Sequence, residues 1–163
     1  MIVLIFAVTV LCVGLGTGRV LTRHEVLAAE PAREMLAGLE RGEWRMWIIP
    51  EFAGVPRTVK PPTTGWLIAG SMALFQSHAE WVARLPAAVA GVLTCLLVAW
   101  MTARYLGERA GVVAGLMQAT CFYTLMQARL AEADMLLCFC VTAAMTCFVI
   151  WRVEKEGRDF GFR

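Results

Sequence analysis

Charge is what this chain lacks through most of its second half. Between Lys60 and Arg152 the only charged residues are Glu80, Arg84, Arg104, Glu108, Arg109, Arg129, Glu132 and Asp134. The uncharged runs from Arg84 to Arg104, Arg109 to Arg129 and Asp134 to Arg152 enclose 19, 19 and 17 residues, and a helix crossing a bilayer needs about 20. Met1 to Gly18 forms a fourth uncharged run. With 59% hydrophobic residues and a mean hydropathy of +0.64, an ordinary soluble domain is excluded. Further absences narrow the field. The net charge is only +2, with no basic run interleaved with aromatics, which argues against a nucleic-acid partner. Cys12, Cys95, Cys121, Cys138, Cys140 and Cys147 all lie in apolar stretches without zinc-ligand spacing. They read as small buried apolar residues rather than disulfides or metal ligands. No Lys or Arg precedes the N-terminal apolar run and no A-x-A site follows it, so a retained membrane helix is expected rather than a signal peptide.

What is there follows an order. After the first apolar run comes a polar block from Thr22 to Lys60. Within it, Glu25 to Glu40 has helical composition, with Glu30, Arg33, Glu34 and Glu40 as its charged set. Thr22 or Arg23 starts this helix, Gly42 ends it, and Pro31 kinks it or opens its second part. Trp44, Trp47 and Phe52 suit the water–lipid boundary. Pro61-Pro62 opens a further segment, Thr63 to Phe75, which fits an interfacial helix or a short, protein-covered membrane helix. Gly14, Gly16 and Gly18, like Gly111 and Gly115, are read as points of close helix approach rather than a nucleotide loop. The expected fold is all-α: a polytopic membrane helix bundle with interfacial helices in its first loop. Membrane helices are expected at 1–21, 79–106, 108–129 and 134–153, an extracytoplasmic loop at 22–78 and a cytoplasmic tail at 154–163. The basic density of the Arg104–Arg109 turn and of the tail assigns them to the cytoplasm, although the polar block carries basic residues of its own.

On this topology three polar clusters meet on one face of the membrane: His24-Glu25, Arg57 to Lys60, and Arg129 to Asp134. Ionisable residues at helix ends near a bilayer point to function. An adjacent histidine and carboxylate can transfer protons or hold a metal, and Lys60 beside the rigid Pro-Pro is placed to bind a phosphate. Plainer readings stand beside these. Glu25 is favourable at a helix N-terminus, Lys60 fits an ordinary interfacial lysine, Asp134 fits an N-cap, and Arg33-Glu34 fits a solvated helix face.

The succession Arg23-His24-Glu25, Arg33-Glu34-Met35-Leu36, Gly42-Glu43-Trp44, Gly54-Val55-Pro56, Lys60-Pro61-Pro62 and Trp66-Leu67 resembles the first extracytoplasmic loop of polyprenyl-phosphate-sugar-dependent glycosyltransferases. The likeness is to the aminoarabinose transferase and protein O-mannosyltransferase-like group of the GT-C fold. It continues through Ala83-Arg84-Leu85-Pro86 and Ala90-Gly91 into Ala133-Asp134-Met135, and so covers nearly the whole chain. The resemblance implies transfer of a sugar from a polyprenyl-phosphate-linked donor to a lipid, glycan or protein acceptor at the outer face of the plasma (inner) membrane. It also implies a longer enzyme, of which these residues are the N-terminal, site-bearing part, with a second chain completing the bundle as one alternative.

The family carries Asp-Glu at the start of the loop helix, with the aspartate catalytic. Here His24 takes that place and Glu25 is kept, while Leu27-Ala28 stands where an Arg-Tyr pair often follows and Val59 where an acid often precedes the lysine. His24 or Glu25 is expected as the base, and Lys60 with Arg57 as the clamp on the leaving phosphate. Glu30, Arg33 and Asp134 are expected to support them. No metal is required, and a divalent ion held by His24 and Glu25 is the lesser alternative. Two other functions compete. One is a non-catalytic partner subunit or relic that keeps the fold. The other is a small transporter subunit, which the lack of ionisable residues deep within the spans disfavours.

Overall fold

The computed structural model describes residues 1–17, 20–52, 54–56 and 61–156, with the backbone alone at 154 and 156. The elements run α1 (Ile2–Cys12), α2 (Arg23–Glu40), a 3-10 turn (Trp44–Trp47), β1 (Glu51–Phe52), β2 (Val55–Pro56), α3 (Thr63–Phe75), α4 (Glu80–Leu106), α5 (Glu108–Thr120), α6 (Phe122–Gln127) and α7 (Asp134–Glu156). The fold is a helical membrane bundle. Its only strands among the described residues form a two-residue antiparallel clip, Glu51 opposite Pro56 and Phe52 opposite Val55.

Two described helices are long and apolar enough to cross a bilayer, Glu80–Leu106 and Asp134–Val153. The first is the central post, with 56% of its apolar window buried inside the bundle, against 6% for the second. Around α4, one core joins Val3, Ala7 and Leu11 of α1 to Ala87, Ala90 and Cys95, Ala119 of α5, and Met135 of α7. Much of that contact is alanine and glycine, which let backbones come close where lipid offers no hydrophobic drive. A Cβ on Gly111 would lie 2.6 Å from the Ala103 Cβ and 2.6 Å from the Ala99 carbonyl oxygen. One on Gly115 would lie 2.7 Å from Val3. These glycines are thus points of close approach, as their spacing suggests.

A second core joins Ala29 and Ala32 of α2, Ile68, Ala69 and Met72 of α3, Val82 and Ala83 of α4, and Ala131. It seats the polar-block helix on the bundle. Pro86 inside α4 has no N–H for the Val82 carbonyl, and the Ser71 hydroxyl of α3 donates to that oxygen instead, at 2.7 Å. Threonine hydroxyls within the apolar helices are satisfied locally: Thr9, Thr94, Thr142 and Thr146 each donate to the carbonyl four residues back.

Several expectations meet a different structure. The apolar run 108–129 is two helices, parted at Cys121, whose φ of −58° and ψ of 126° leave the helical region. Gln118 Nε2 donates to Thr124 Oγ1 across the break at 2.8 Å. The first helix ends at Cys12 rather than near residue 21. Of the six cysteines, all free thiols, only Cys95 is fully buried; Cys121, Cys140 and Cys147 are exposed. An apolar thiol on the lipid-facing side of a membrane helix needs no burial in protein. Trp47 serves as a tie, its carbonyl accepting the Trp66 indole N–H at 2.7 Å.

Candidate functional site

The site helix is α2, and its start is built from local sequence. Thr22 is its N-cap. The Thr22 hydroxyl accepts the Glu25 N–H, and the Glu25 carboxylate accepts the Thr22 N–H at 2.8 Å, closing a capping box. The same carboxylate reaches much further. Glu25 is wholly buried, and Arg84 of α4 is 4% exposed. Arg84 Nε donates to Oε1 at 2.7 Å and Nη2 to Oε2 at 3.3 Å. The Ala131 N–H, from the turn before α7, donates to Oε1 at 3.1 Å. Arg84 Nη1 in turn donates to the Leu15 carbonyl at 2.7 Å. One ion pair therefore ties α2, α4, the segment after α1 and the α6–α7 turn together. Burial pushes the Glu25 carboxyl up, but the Arg84 hydrogen bonds, the two backbone N–H groups and the guanidinium charge outweigh it and hold it below its ordinary value.

Arg129 completes the packing nearby. Its guanidinium donates to the carbonyls of Val10, Val13 and Gly14 at 3.0, 2.9 and 3.2 Å. Those groups stand at the C-terminal end of α1, where carbonyls lack helical partners and a cation is favourable. Arg129 thus turns toward α1.

Beside the Glu25 tie lies a half-open pocket of about 90 Å³. The face of α2 that bears His24, Leu27, Ala28, Pro31 and Met35 forms one wall, at the spacing of neighbours on one helix side. Pro61 and Pro62, directly after Lys60, form another, and Glu132 and Ala133 close a third. The pocket is mostly apolar, with His24 and Glu132 as its ionisable described residues. Three segments far apart in sequence, bearing His24, Pro61-Pro62 and Glu132-Ala133, thus meet at one pocket. Asp134 stands in the first turn of α7, next to Ala133. Arg57 and Lys60 lie outside the described residues.

Glu30 and Arg33 are not brought to this pocket. They pair with each other one turn apart, and Arg33 Nη2 donates to the His78 carbonyl at 2.8 Å. Arg33 and Glu40 line a separate cleft between α2 and α3. A metal held jointly by His24 and Glu25 fits poorly, since the Glu25 oxygens already accept four donors, and no cluster of three or more His, Cys, Asp or Glu side chains suited to a metal occurs among the described residues. Sequence reasoning missed Arg84, Glu132 and the structural duty of Glu25. An arginine just inside an apolar run was the signal available for Arg84.

Known proteins share this fold. Residues 59–162 match the family profile described as dolichyl-phosphate-mannose-protein mannosyltransferase. Undecaprenyl phosphate-alpha-4-amino-4-deoxy-L-arabinose arabinosyl transferase of Edwardsiella ictaluri is 35% identical over 143 residues, covering 86% of this chain and 25% of its own length. The crystal structure of ArnT from Cupriavidus metallidurans in the apo state superposes with a TM-score of 0.79 at 25% identity, over 89% of this chain and 26% of that one. The same protein bound to undecaprenyl phosphate superposes with a TM-score of 0.74 at 25% identity over the same shares. The chain spans about a quarter of the length of these relatives.

Proposed function

The chain belongs to the dolichyl-phosphate-mannose-protein mannosyltransferase family, and from that premise we propose that it is the site-bearing part of a membrane glycosyltransferase. The reaction moves a sugar from a polyprenyl-phosphate-linked donor to a hydroxyl of a lipid, glycan or protein acceptor. The first loop, with α2 and α3, faces the extracytoplasmic side of the plasma (inner) membrane in this reading. The observation that carries it is the convergence of His24, the Pro61-Pro62 segment that adjoins Lys60, and Glu132-Ala133 around one pocket. The undecaprenyl-phosphate-bound structure of the Cupriavidus relative supports the donor class.

In the proposed chemistry His24 is the base. A carboxylate has about four acceptor positions, and those of Glu25 are met by Arg84 twice, Thr22 and Ala131. Using it as a base would break the tie that seats α2. The imidazole of His24 removes the acceptor hydroxyl proton as the acceptor oxygen bonds to the anomeric carbon. The bond from that carbon to the phosphate oxygen breaks, and its electron pair leaves with the polyprenyl phosphate. A placed base contributes about 10²–10⁴-fold. Lys60 and Arg57 stabilise the charge that grows on the leaving phosphate, and Asp134 supports the donor side of the site.

The test is transfer from a polyprenyl-phosphate-linked sugar by the complete protein in its membrane. Lys60→Ala is expected to abolish turnover and leave insertion intact, and retained turnover refutes the clamp. The engagement of Glu25 also suits a subunit that keeps the fold without catalysis. Wild-type protein that binds polyprenyl phosphate but transfers no sugar establishes that reading instead.

A further inference from the structure

The pocket deepens along one stripe of α2. His24 stands exposed at its mouth, Ala28 is half-buried, and Pro31 and Met35 are buried, at positions that fall on one helix side. Met35, only 1% exposed, forms the base. Its far end rests on α3 at Gly65, where an added Cβ would lie 3.0 Å from the Met35 Cε and 3.3 Å from its Sδ. Glycine is a poor helix residue, so a glycine where the thioether ends is room kept for that side chain. Building on the function proposed above, we infer that Met35, seated on Gly65, is a specificity-determining residue that sets how bulky a donor sugar the pocket admits.

The lining suits a sugar ring. A volume of about 90 Å³ is well below the roughly 300–1,000 Å³ that enclose a drug-sized ligand, so the pocket holds one end of a donor rather than the whole. Leu27, Ala28, Pro31 and Met35 present carbon to the C–H face of a ring. Among the described residues His24 and Glu132 are the ionisable groups within reach of its hydroxyls. Pro61 joins this end of the donor to Lys60, its neighbour in sequence and the proposed phosphate clamp. Methionine is flexible, and its end moves at little cost. A Cβ at residue 65 therefore displaces the Met35 methyl rather than α3, and the space that both residues line is the pocket. Shortening residue 35 acts in the opposite direction and deepens it.

Transfer is measured with the complete protein in its membrane, from undecaprenyl phosphate bearing a pentose or the hexose that adds one hydroxymethyl group to it. Gly65→Ala is expected to lower kcat/KM for the hexose relative to the pentose about tenfold, and Met35→Ala to raise that ratio about tenfold. M35A removes the atoms that the new Cβ meets, so G65A/M35A is expected to keep the preference of M35A. If M35A does not fold, M35V, which also lacks Sδ and Cε, takes its place. An unchanged ratio in the folded variants overturns the assignment, as does an equal loss for both sugars. Thiol labelling reads the pocket without transfer. A Thr64→Cys thiol on the lining, measured against the wild-type background, is expected to react more slowly with a bulky membrane-impermeant reagent when G65A is added and faster with M35A. Labelling rates that stay fixed overturn the size limit. Rates that move while no protein, wild type included, transfers sugar overturn the glycosyltransferase reading and leave the size limit standing.

Discussion

Replacing Arg84 by methionine removes the cation from a buried pair while leaving its partner in place. The Glu25 carboxylate would keep the Thr22 and Ala131 N–H groups but lose both guanidinium bonds, and the Leu15 carbonyl would lose its donor. Breaking one side of a buried ion pair costs about 3–5 kcal/mol, because the remaining charge is uncompensated. Adding Glu25→Gln removes that charge, and the amide oxygen still accepts from Ala131. The double variant then retains the orphaned Leu15 carbonyl and a part-buried Thr22 N–H that the amide NH2 cannot accept, together about 1–3 kcal/mol. R84M/E25Q is therefore expected to be more stable than R84M by about 2 kcal/mol at neutral pH. Acid should distinguish them by sign. In the wild-type protein the Glu25 carboxyl is held below its ordinary value. Its contribution is complete above about pH 4.3 and is lost as pH falls through the folded value. In R84M burial acts without the guanidinium, the folded value rises, and acidification from neutral pH stabilises the variant. Denaturant titration in micelles, followed by the fluorescence of the six tryptophans, reads all three proteins. A double variant no more stable than R84M, or an R84M loss below about 1 kcal/mol, would refute the assignment of Glu25–Arg84 as the tie that seats α2.

Gly111→Leu should force α4 and α5 apart, because even its Cβ meets Ala103 and the Ala99 carbonyl at 2.6 Å; a loss of at least about 1–3 kcal/mol is expected. Gly70→Ala, where a Cβ meets nothing within 4 Å, is the control and should be neutral or stabilising by about 0.5–1 kcal/mol in the same denaturant titration. Arg129→Met strips donors from three carbonyls at the end of α1. Amide hydrogens in the last turn of α1 should then exchange faster, with α4 unchanged. His24→Ala should lower sugar transfer by about 10²–10⁴-fold while leaving the Glu25–Arg84 tie and the unfolding midpoint in place.

The elements legible in the chain were those whose causes are local. Sparse charge marks the apolar helices, because a bilayer core tolerates few ionised groups. Thr22 followed three residues on by Glu25 is a capping box wherever it occurs, and Gly42, with a φ of +78° just beyond α2, is a stop that needs no tertiary partner. Glycines four apart in an apolar helix announced the tight contact between α4 and α5.

What lay beyond the sequence depended on partners far apart along it. Glu25 looked like a reactive carboxylate beside a histidine; Arg84, 59 residues away, makes it a structural anchor. Glu30 and Arg33 looked like neighbours of the site, but helical rotation turns Arg33 to His78 and a different cleft. Cys121 parts α5 from α6 with neither proline nor glycine to announce it. Pairing of charges and rotation of a helix about its axis follow from packing between segments, and composition carries no record of that until the segments have met.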